Sequence, residues 1–157
     1  VTGGYLTLKS SLPSRDGKLT TDAVSQPVDI SRDKLGHAVI NAQSLNDAVF
    51  GLGYAHGQDR FFQMDAQRRA AAGELSQWLG EGLLEIDKRA RFHQFRQRAQ
   101  TIVAQLPQWQ KNVLEAYSAG VNQAIDDMGA PPFEYLLTRF DMAPWQPEDS
   151  VLVAFSM

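Results

Sequence analysis

The chain has 157 residues, about one domain's length, with 43% hydrophobic and 21% charged residues, which is ordinary for a folded protein and too apolar for wholesale disorder. Its 15 basic and 18 acidic residues leave a net charge of −3, so no global field favours nucleic acid or an anionic membrane, and no run approaches the ~18 uncharged apolar residues of a membrane-spanning helix. The absence of cysteine excludes disulfide scaffolds, thiol nucleophiles and cysteine-ligated zinc, and the three histidines, His37, His56 and His93, lack metal-ligand spacing.

Residues 1–43 read as a strand-and-turn segment. Tyr5-Leu-Thr-Leu8 alternates and is rich in β formers, while Pro13 and Asp16-Gly17 mark turns. Pro27–Ile30 and Ala38–Ile40 are short extended pieces separated by the polar Ser31-Arg-Asp-Lys-Leu-Gly36, the composition of a hairpin turn. From residue 44 to 157 the pattern is helical. Ser44 with Asp47 gives a capping-box-like start. A helix running unbroken from there to about Leu79 would be roughly 54 Å long, against a radius of gyration of ~15 Å for a compact domain of this size, so either the helix breaks, with Gly73 the expected place, or it belongs to a body larger than this chain.

That first helix carries Phe50, Leu52, Tyr54, Phe61, Phe62, Met64 and Leu75 all round its surface, which predicts burial on every side. Gln58, Asp59, Gln63 and Asp65 sit among them and predict a buried polar network with Arg60, Arg68 or Arg69. Gly51, Gly53 and Gly57 lie near one side and predict close approach of another backbone. Residues 84–106 read as a second helix. A third starts at Pro107 with an apolar stripe of Trp109, Val113, Tyr117, Gly120, Val121, Ala124 and Met128, stopped by Gly129, Pro131 and Pro132. A short helix is expected at 133–140. A last one opens at Gln146-Pro147, with Glu148 and Asp149 suited to its dipole. The chain starts on Val1 and stops on the apolar run Val151-Leu-Val-Ala-Phe-Ser-Met157; both ends suggest processing, or a second polypeptide covering the end.

The residues offer no self-contained reactive centre. There is no G-x-S-x-G turn. His56 and Asp59 share a helix face and read as a structural hydrogen bond; His37 and His93 read as solvated. Lys88, Arg89, Arg91, Arg96 and Arg98, interleaved with Phe92 and Phe95, fit either a nucleic-acid helix or a face meeting acids such as Asp126, Asp127, Glu134 and Asp141, and the net negative charge favours the second. The acid pairs Asp126-Asp127 and Glu148-Asp149 read as caps rather than metal ligands.

Two stretches carry a specific resemblance. Val28-Asp-Ile-Ser-Arg-Asp-Lys-Leu-Gly36 has the form V-x-I-x-R-D-x-x-G. Phe50-Gly-Leu-Gly-Tyr-Ala-His-Gly-Gln-Asp-Arg-Phe-Phe-Gln-Met-Asp-Ala-Gln-Arg-Arg69 has the form G-x-G-x-x-x-A-Q-D-R-x-x-Q-M-x-x-x-R-R, with Gly57 in place of the alanine. Gly73-Glu-Leu75 with Leu79-Gly80, Tyr117-Ser-Ala-Gly-Val-Asn122 and Trp145-Gln-Pro-Glu-Asp149 follow in order. Together they resemble the α chain of the penicillin acylase family of N-terminal-nucleophile hydrolases, over residues 13–157. One departure is Gly36-His-Ala-Val-Ile40, where the family usually has G-V-P-H-I.

The resemblance implies an α+β fold, mostly helical here, that completes a four-layer αββα body with a separate β chain. It implies an exported precursor, periplasmic or secreted, cut into a small α and a large β subunit that act on a small N-acyl amide, either penicillin-like or acyl-homoserine-lactone-like. The nucleophile would be the serine at the start of the β chain, with its own α-amino group as base, so no catalytic residue is expected on this chain. No cofactor is required for that chemistry. A structural calcium ion would be bound mainly by the β chain, because the family's α-chain glutamate would lie beyond Met157. From this chain, Met157 corresponds to a pocket-lining methionine, with Phe155 and Ser156 as further substrate-binding candidates; a flexible thioether suits varied acyl groups. The alternative is a non-enzymatic all-α interaction module using the basic helix 88–98.

Overall fold

The computed structural model describes residues 10–12 and 16–157. The strand expected at Tyr5–Leu8 and the turn at Pro13 lie outside the described residues. Among the described residues the order of elements is β1 (Asp29–Arg32), β2 (Ala38–Asn41), α1 (Leu45–Ala72), α2 (Ser76–Leu79), a 3₁₀ turn (Glu81–Leu83), α3 (Leu84–Phe92), α4 (Phe95–Gln105), α5 (Gln108–Asp126), α6 (Phe133–Thr138) and α7 (Pro147–Ala154). The chain is therefore mostly helical with one small sheet. No helix among the described residues is long and apolar enough to cross a membrane.

β1 and β2 form an antiparallel hairpin with Ile30 opposite Ile40 and Arg32 opposite Ala38. Its turn is organised by Asp33, whose Oδ1 accepts the backbone N–H groups of Leu35 and His37, each at 2.8 Å. Gly36 supplies the positive φ of 85° that the reversal needs. Strand β1 runs two residues further than Ile30, and the proline missing before Ile40 leaves a regular ladder.

Ser44 caps α1 by accepting the Asp47 N–H at 3.1 Å. The reciprocal half of a capping box is replaced by a wider arrangement. The Asp47 carboxylate accepts the Ser44 hydroxyl at 2.7 Å, the Ser25 hydroxyl at 2.7 Å and the Ser25 N–H at 2.8 Å. These bonds tie the segment before the hairpin to the helix start and hold the Asp47 carboxyl below its usual range. As expected, α1 ends at Gly73, whose left-handed backbone (φ 70°) lets its N–H bond back to Ala70. At Arg60 the backbone leaves helical geometry (φ −153°, ψ 29°), which kinks α1.

The expected close approach exists, with the glycines divided between two faces. Gly53 and Gly57 lie against α5, where Gly120 answers them. A Cβ at Gly53 would run into the Tyr117 carbonyl oxygen, and one at Gly120 into that of Phe50. A Cβ at Gly57 would sit 2.8 Å from that of Ala124, so glycine in place of the alanine lets the helices pack closer. Gly51 faces the hairpin, with Ile40 and Val28 side-chain carbons 2.9 Å from where its Cβ would be.

The core has two parts. Phe61, Met64, Trp78, Val121, Tyr135 and Trp145 form one, and Ala71, Ala72, Ala99 and Leu152 the other, with Phe95 and Val151 packed on it. Each large side chain so buried contributes about 1.5–3 kcal/mol. Burial of α1 on every side is not realised within the chain: Leu45 is 62% and Leu52 38% exposed. The apolar stripe on α5 is likewise covered only in its second half, since Gly120, Val121 and Ala124 are buried and Trp109 is 62% exposed. The helix expected over 84–106 is two helices, broken at Gln94, whose φ of 54° is left-handed.

Candidate functional site

The polar centre of the molecule is Arg68. Its Nε donates to Asp65 Oδ1 at 2.7 Å and its Nη1 to Asp149 Oδ2 at 2.6 Å. The same guanidinium donates to the carbonyl oxygens of Pro144 at 2.9 Å and Ala143 at 2.6 Å. Asp65 also accepts Arg69 Nε at 3.1 Å and the Tyr135 hydroxyl at 2.6 Å. Asp149 accepts the Gln146 N–H at 2.9 Å and Arg96 Nη1 at 3.2 Å, while Arg96 closes a forked pair with Glu74, both bonds 2.9 Å. Arg68, Asp65 and Asp149 are all buried. Burial alone would weaken the charge on Arg68; the Asp149 and Asp65 carboxylates outweigh it and raise its pKa. Burial, then the bond to Asp65, pushes the Tyr135 phenol far up. This network joins α1, α4, α6 and the start of α7.

Other recurring residues do similar work. Asn122 bonds the Trp145 backbone twice, taking its N–H at 2.7 Å and donating to its carbonyl at 3.0 Å. Arg32, from the hairpin, grips Asp59 with two bonds of 2.6 and 2.9 Å. Four of the motifs singled out in the sequence thus bond to one another across the fold, through Arg32 and Asp59, Asn122 and Trp145, and Arg68 and Asp149, while Gly73-Glu-Leu75 bonds to Arg91, Arg96 and Asp87. They hold segments together and do not assemble a reactive centre.

The serine hydroxyls with described bonds have structural partners: Ser25 and Ser44 on Asp47, Ser118 on the Leu114 carbonyl, Ser150 accepting the Trp145 indole N–H, and Ser156 on the Val153 carbonyl. His56 is not bonded to Asp59 as expected. Its Nδ1 meets the Tyr117 hydroxyl at 2.9 Å across the α1–α5 crossing, and burial, then the charge of Arg60, lowers its pKa. His37 sits exposed beside Asp33 at 3.0 Å, and His93 is exposed.

The basic stretch 88–98 meets different acids from those expected. Arg96 pairs with Glu74 and Asp149, Lys88 with Glu85, and Arg91 donates to the Gly73 carbonyl. Asp127 instead takes the Tyr54 hydroxyl at 2.9 Å, and burial with that bond pushes the Tyr54 phenol up to about 12. A partner-binding role for this stretch therefore loses Arg91 and Arg96 to internal bonds. Sequence reasoning missed Asp87, which is buried and accepts the backbone N–H groups of Leu75 at 3.0 Å and Ser76 at 2.7 Å. An aspartate set directly before the basic run Lys88, Arg89 and Arg91 was a usable signal. Among the described residues no group of three or more His, Cys, Asp or Glu side chains is placed to hold a metal ion.

The three substrate-binding candidates lie together at the end of α7. Phe155 stacks on Phe95 with ring centroids 5.2 Å apart. Ser156 turns back so that its N–H and hydroxyl both reach the Val153 carbonyl, at 3.0 and 2.7 Å. Met157 is 92% exposed. Phe155 borders an open depression of about 470 Å³ shared with Gln94, Gln97, Arg98, Thr101 and Ile102. Of the three, Phe155 is partly covered by Phe95 and Ser156 is bonded within its own turn.

A fold held by these paired motifs is matched by the penicillin amidase family profile over residues 27–157, and the chain belongs to that family. It is 37% identical to penicillin acylase 2 proenzyme of Pseudomonas sp. strain SE83 over 147 residues, covering 93% of this chain and 19% of that protein. It is 34% identical to the acyl-homoserine lactone acylase QuiP of Pseudomonas aeruginosa PAO1 over 147 residues, covering 91% of this chain and 17% of that one. A solved structure of thermostable penicillin G acylase from Alcaligenes faecalis superposes with a TM-score of 0.76 at 28% identity, covering 84% of this chain and 72% of that chain. The chain thus spans under a fifth of the length of these two curated relatives.

Proposed function

We propose that this chain is the small α subunit of a heterodimeric amidohydrolase that cleaves an N-acyl amide into an acid and an amine. The observation that carries the reading is the family match together with a contrast in coverage. The chain spans 19% of a proenzyme but 72% of a chain in a solved acylase structure, which supports a precursor whose corresponding part becomes a separate polypeptide. Exposed apolar side chains on several elements, among them Leu45, Trp109 and Leu137, agree with a large covering partner. With that partner the hairpin and helices complete a four-layer αββα body.

In this reading the nucleophile is the N-terminal serine of the β chain. Its α-amino group, with an unperturbed pKa of about 8, is largely neutral at mildly alkaline pH and close enough to take the hydroxyl proton. The hydroxyl oxygen attacks the acyl carbonyl, the protonated amine leaves, and water releases the acid. This chain contributes the acyl-side wall: Met157, with Phe155 and Ser156, on a helix anchored by Arg68 and Asp149. The chemistry requires no cofactor. The site of action is the periplasm or the exterior, and a structural calcium ion would sit mainly among β-chain ligands.

The test is amine release from N-acyl substrates sharing one amine, with phenylacetyl and straight-chain acyl groups, before and after treatment with a serine-directed inhibitor. Inhibitor-sensitive turnover of at least one series is expected. No release from any of them, by protein that is folded and assembled, would refute the reading.

A further inference from the structure

Four aromatic rings form a continuous column between the α3–α4 turn and the end of α7. Phe155 stacks on Phe95 (5.2 Å, 24°), Phe95 on His93 (5.0 Å, 11°), and His93 meets the edge of Phe92 (5.8 Å, 82°). The turn that carries the column is unusual. Gln94 holds a left-handed backbone (φ 54°, ψ 36°) without a glycine and without a side-chain cap, a conformation that persists only where the surroundings fix it. That backbone separates α3 from α4 and places His93 and Phe95 on either side of it. One turn along α4, Ala99 is fully buried beneath Leu152. Phe95 and Ala99 therefore grip α7 at two points, one at its middle and one at its last turn.

We propose that Phe95, backed by His93, is a positioning residue for acyl-group selection. It acts through Phe155 to fix the direction in which the end of α7 presents Ser156 and Met157. The inference rests on the pocket role proposed above. Besides the column, the bonds of this last turn among the described residues are local ones to the Leu152 and Val153 carbonyls, which follow the chain wherever it goes. With the column, the ring of Phe155 is fixed against α4 while its border faces the depression lined by Gln94, Gln97, Arg98, Thr101 and Ile102. The ligand class is an apolar acyl chain, whose length and width would be read by the residues that Phe155 orients.

The test uses the assembled enzyme and a series of substrates that differ only in the acyl group: phenylacetyl, hexanoyl and decanoyl amides of one amine. Phe95→Leu keeps bulk and loses the ring stack. It is expected to change the ratios of kcat/KM between acyl groups by roughly 10-fold, mainly through KM, the lower end of the range over which apolar pockets discriminate. Phe95→Tyr, which keeps the ring, is expected to restore the parent ratios. If Phe95→Leu fails to accumulate, Phe95→Trp carries the same test by displacing Phe155. Met157→Ala is measured beside them. Ratios that move with Met157→Ala but not with the Phe95 variants, or a uniform loss on all acyl groups at Phe95, would overturn the column's role and leave the pocket standing. Unchanged ratios with Met157→Ala would overturn the pocket reading and this inference with it, as would an enzyme inactive on every acyl group.

Discussion

Gly53→Ala sets two effects of known size against each other. Inside a helix, alanine is favoured over glycine by about 1 kcal/mol, so an uncrowded site would gain stability. At Gly53 the added Cβ meets the backbone carbonyl of Tyr117 on α5 and lies 3.1 Å from the Val121 nitrogen. Neither neighbour is the tip of a flexible side chain, so relief requires the two helices to separate. Overpacking of this kind costs about 1–3 kcal/mol, and backbone-on-backbone contact belongs at the upper end. Clash should win by about 2 kcal/mol, lowering Tm by about 4–8 °C if this chain unfolds alone and by less if a larger partner unfolds with it. The assay is thermal unfolding followed by circular dichroism at 222 nm, on the protein as purified with any partner chain. Gly82→Ala is the control, because nothing lies within 4 Å of its added Cβ; it should be neutral or slightly stabilising. A Gly53→Ala variant as stable as the parent, or more so, would refute the reasoning about the α1–α5 crossing.

Three further outcomes are expected. Arg68→Met strands two buried carboxylates, Asp65 and Asp149, each left with one arginine partner; the loss should be about 3 kcal/mol in denaturant unfolding, and a loss below about 1 kcal/mol would contradict the central role of the network. Asp87 is buried, which alone would raise its pKa, yet the Ser76 and Leu75 hydrogen bonds overcome this and hold the carboxyl below its ordinary value; its contribution is therefore full above about pH 4 and fades as acid protonates it, and an Asp87→Asn variant should show a weaker loss of stability between neutral pH and pH 3 than the parent. Asp59→Ala removes the forked bond to Arg32 between the hairpin and α1, a partly exposed pair worth about 1 kcal/mol or less, so the yield of assembled protein should fall while turnover per assembled enzyme stays constant; normal assembly with lost turnover would place Asp59 in the chemistry instead.

What could be read from the residues follows from how local each signal is. The stop of α1 was legible because Gly73 is needed for a left-handed cap, and the hairpin because a polar run ending on Gly36 sits between two apolar pairs. The pairing of Asp65 with Arg68 and Arg69 was legible from helical spacing. The break at Gln94 was not, since neither glycine nor proline marks it, and the packing of Phe95 and Ala99 beside Leu152 that accompanies it is a long-range feature. The partners of Arg96 lie 22 and 53 residues away, and His56 chose a tyrosine 61 residues on over the aspartate one turn along its own helix. Such pairings depend on which helix faces meet, and periodicity does not state that. For the site, the sequence supplied candidates at Phe155, Ser156 and Met157 through resemblance, and the structure places them together on one helix end. The stacking of Phe95 on Phe155 was not legible, because an aromatic residue within a basic stretch reads as surface until its stacking partner is seen.

This polypeptide is proposed to work as one part of an acylase whose reactive serine begins another chain. Intact-mass analysis combined with N-terminal sequencing of the natively produced protein tests it most directly. A second, several-fold larger polypeptide starting with serine, co-purifying in equal amount, is the expected result. A stable, folded monomer of 17.4 kDa with no companion would contradict it.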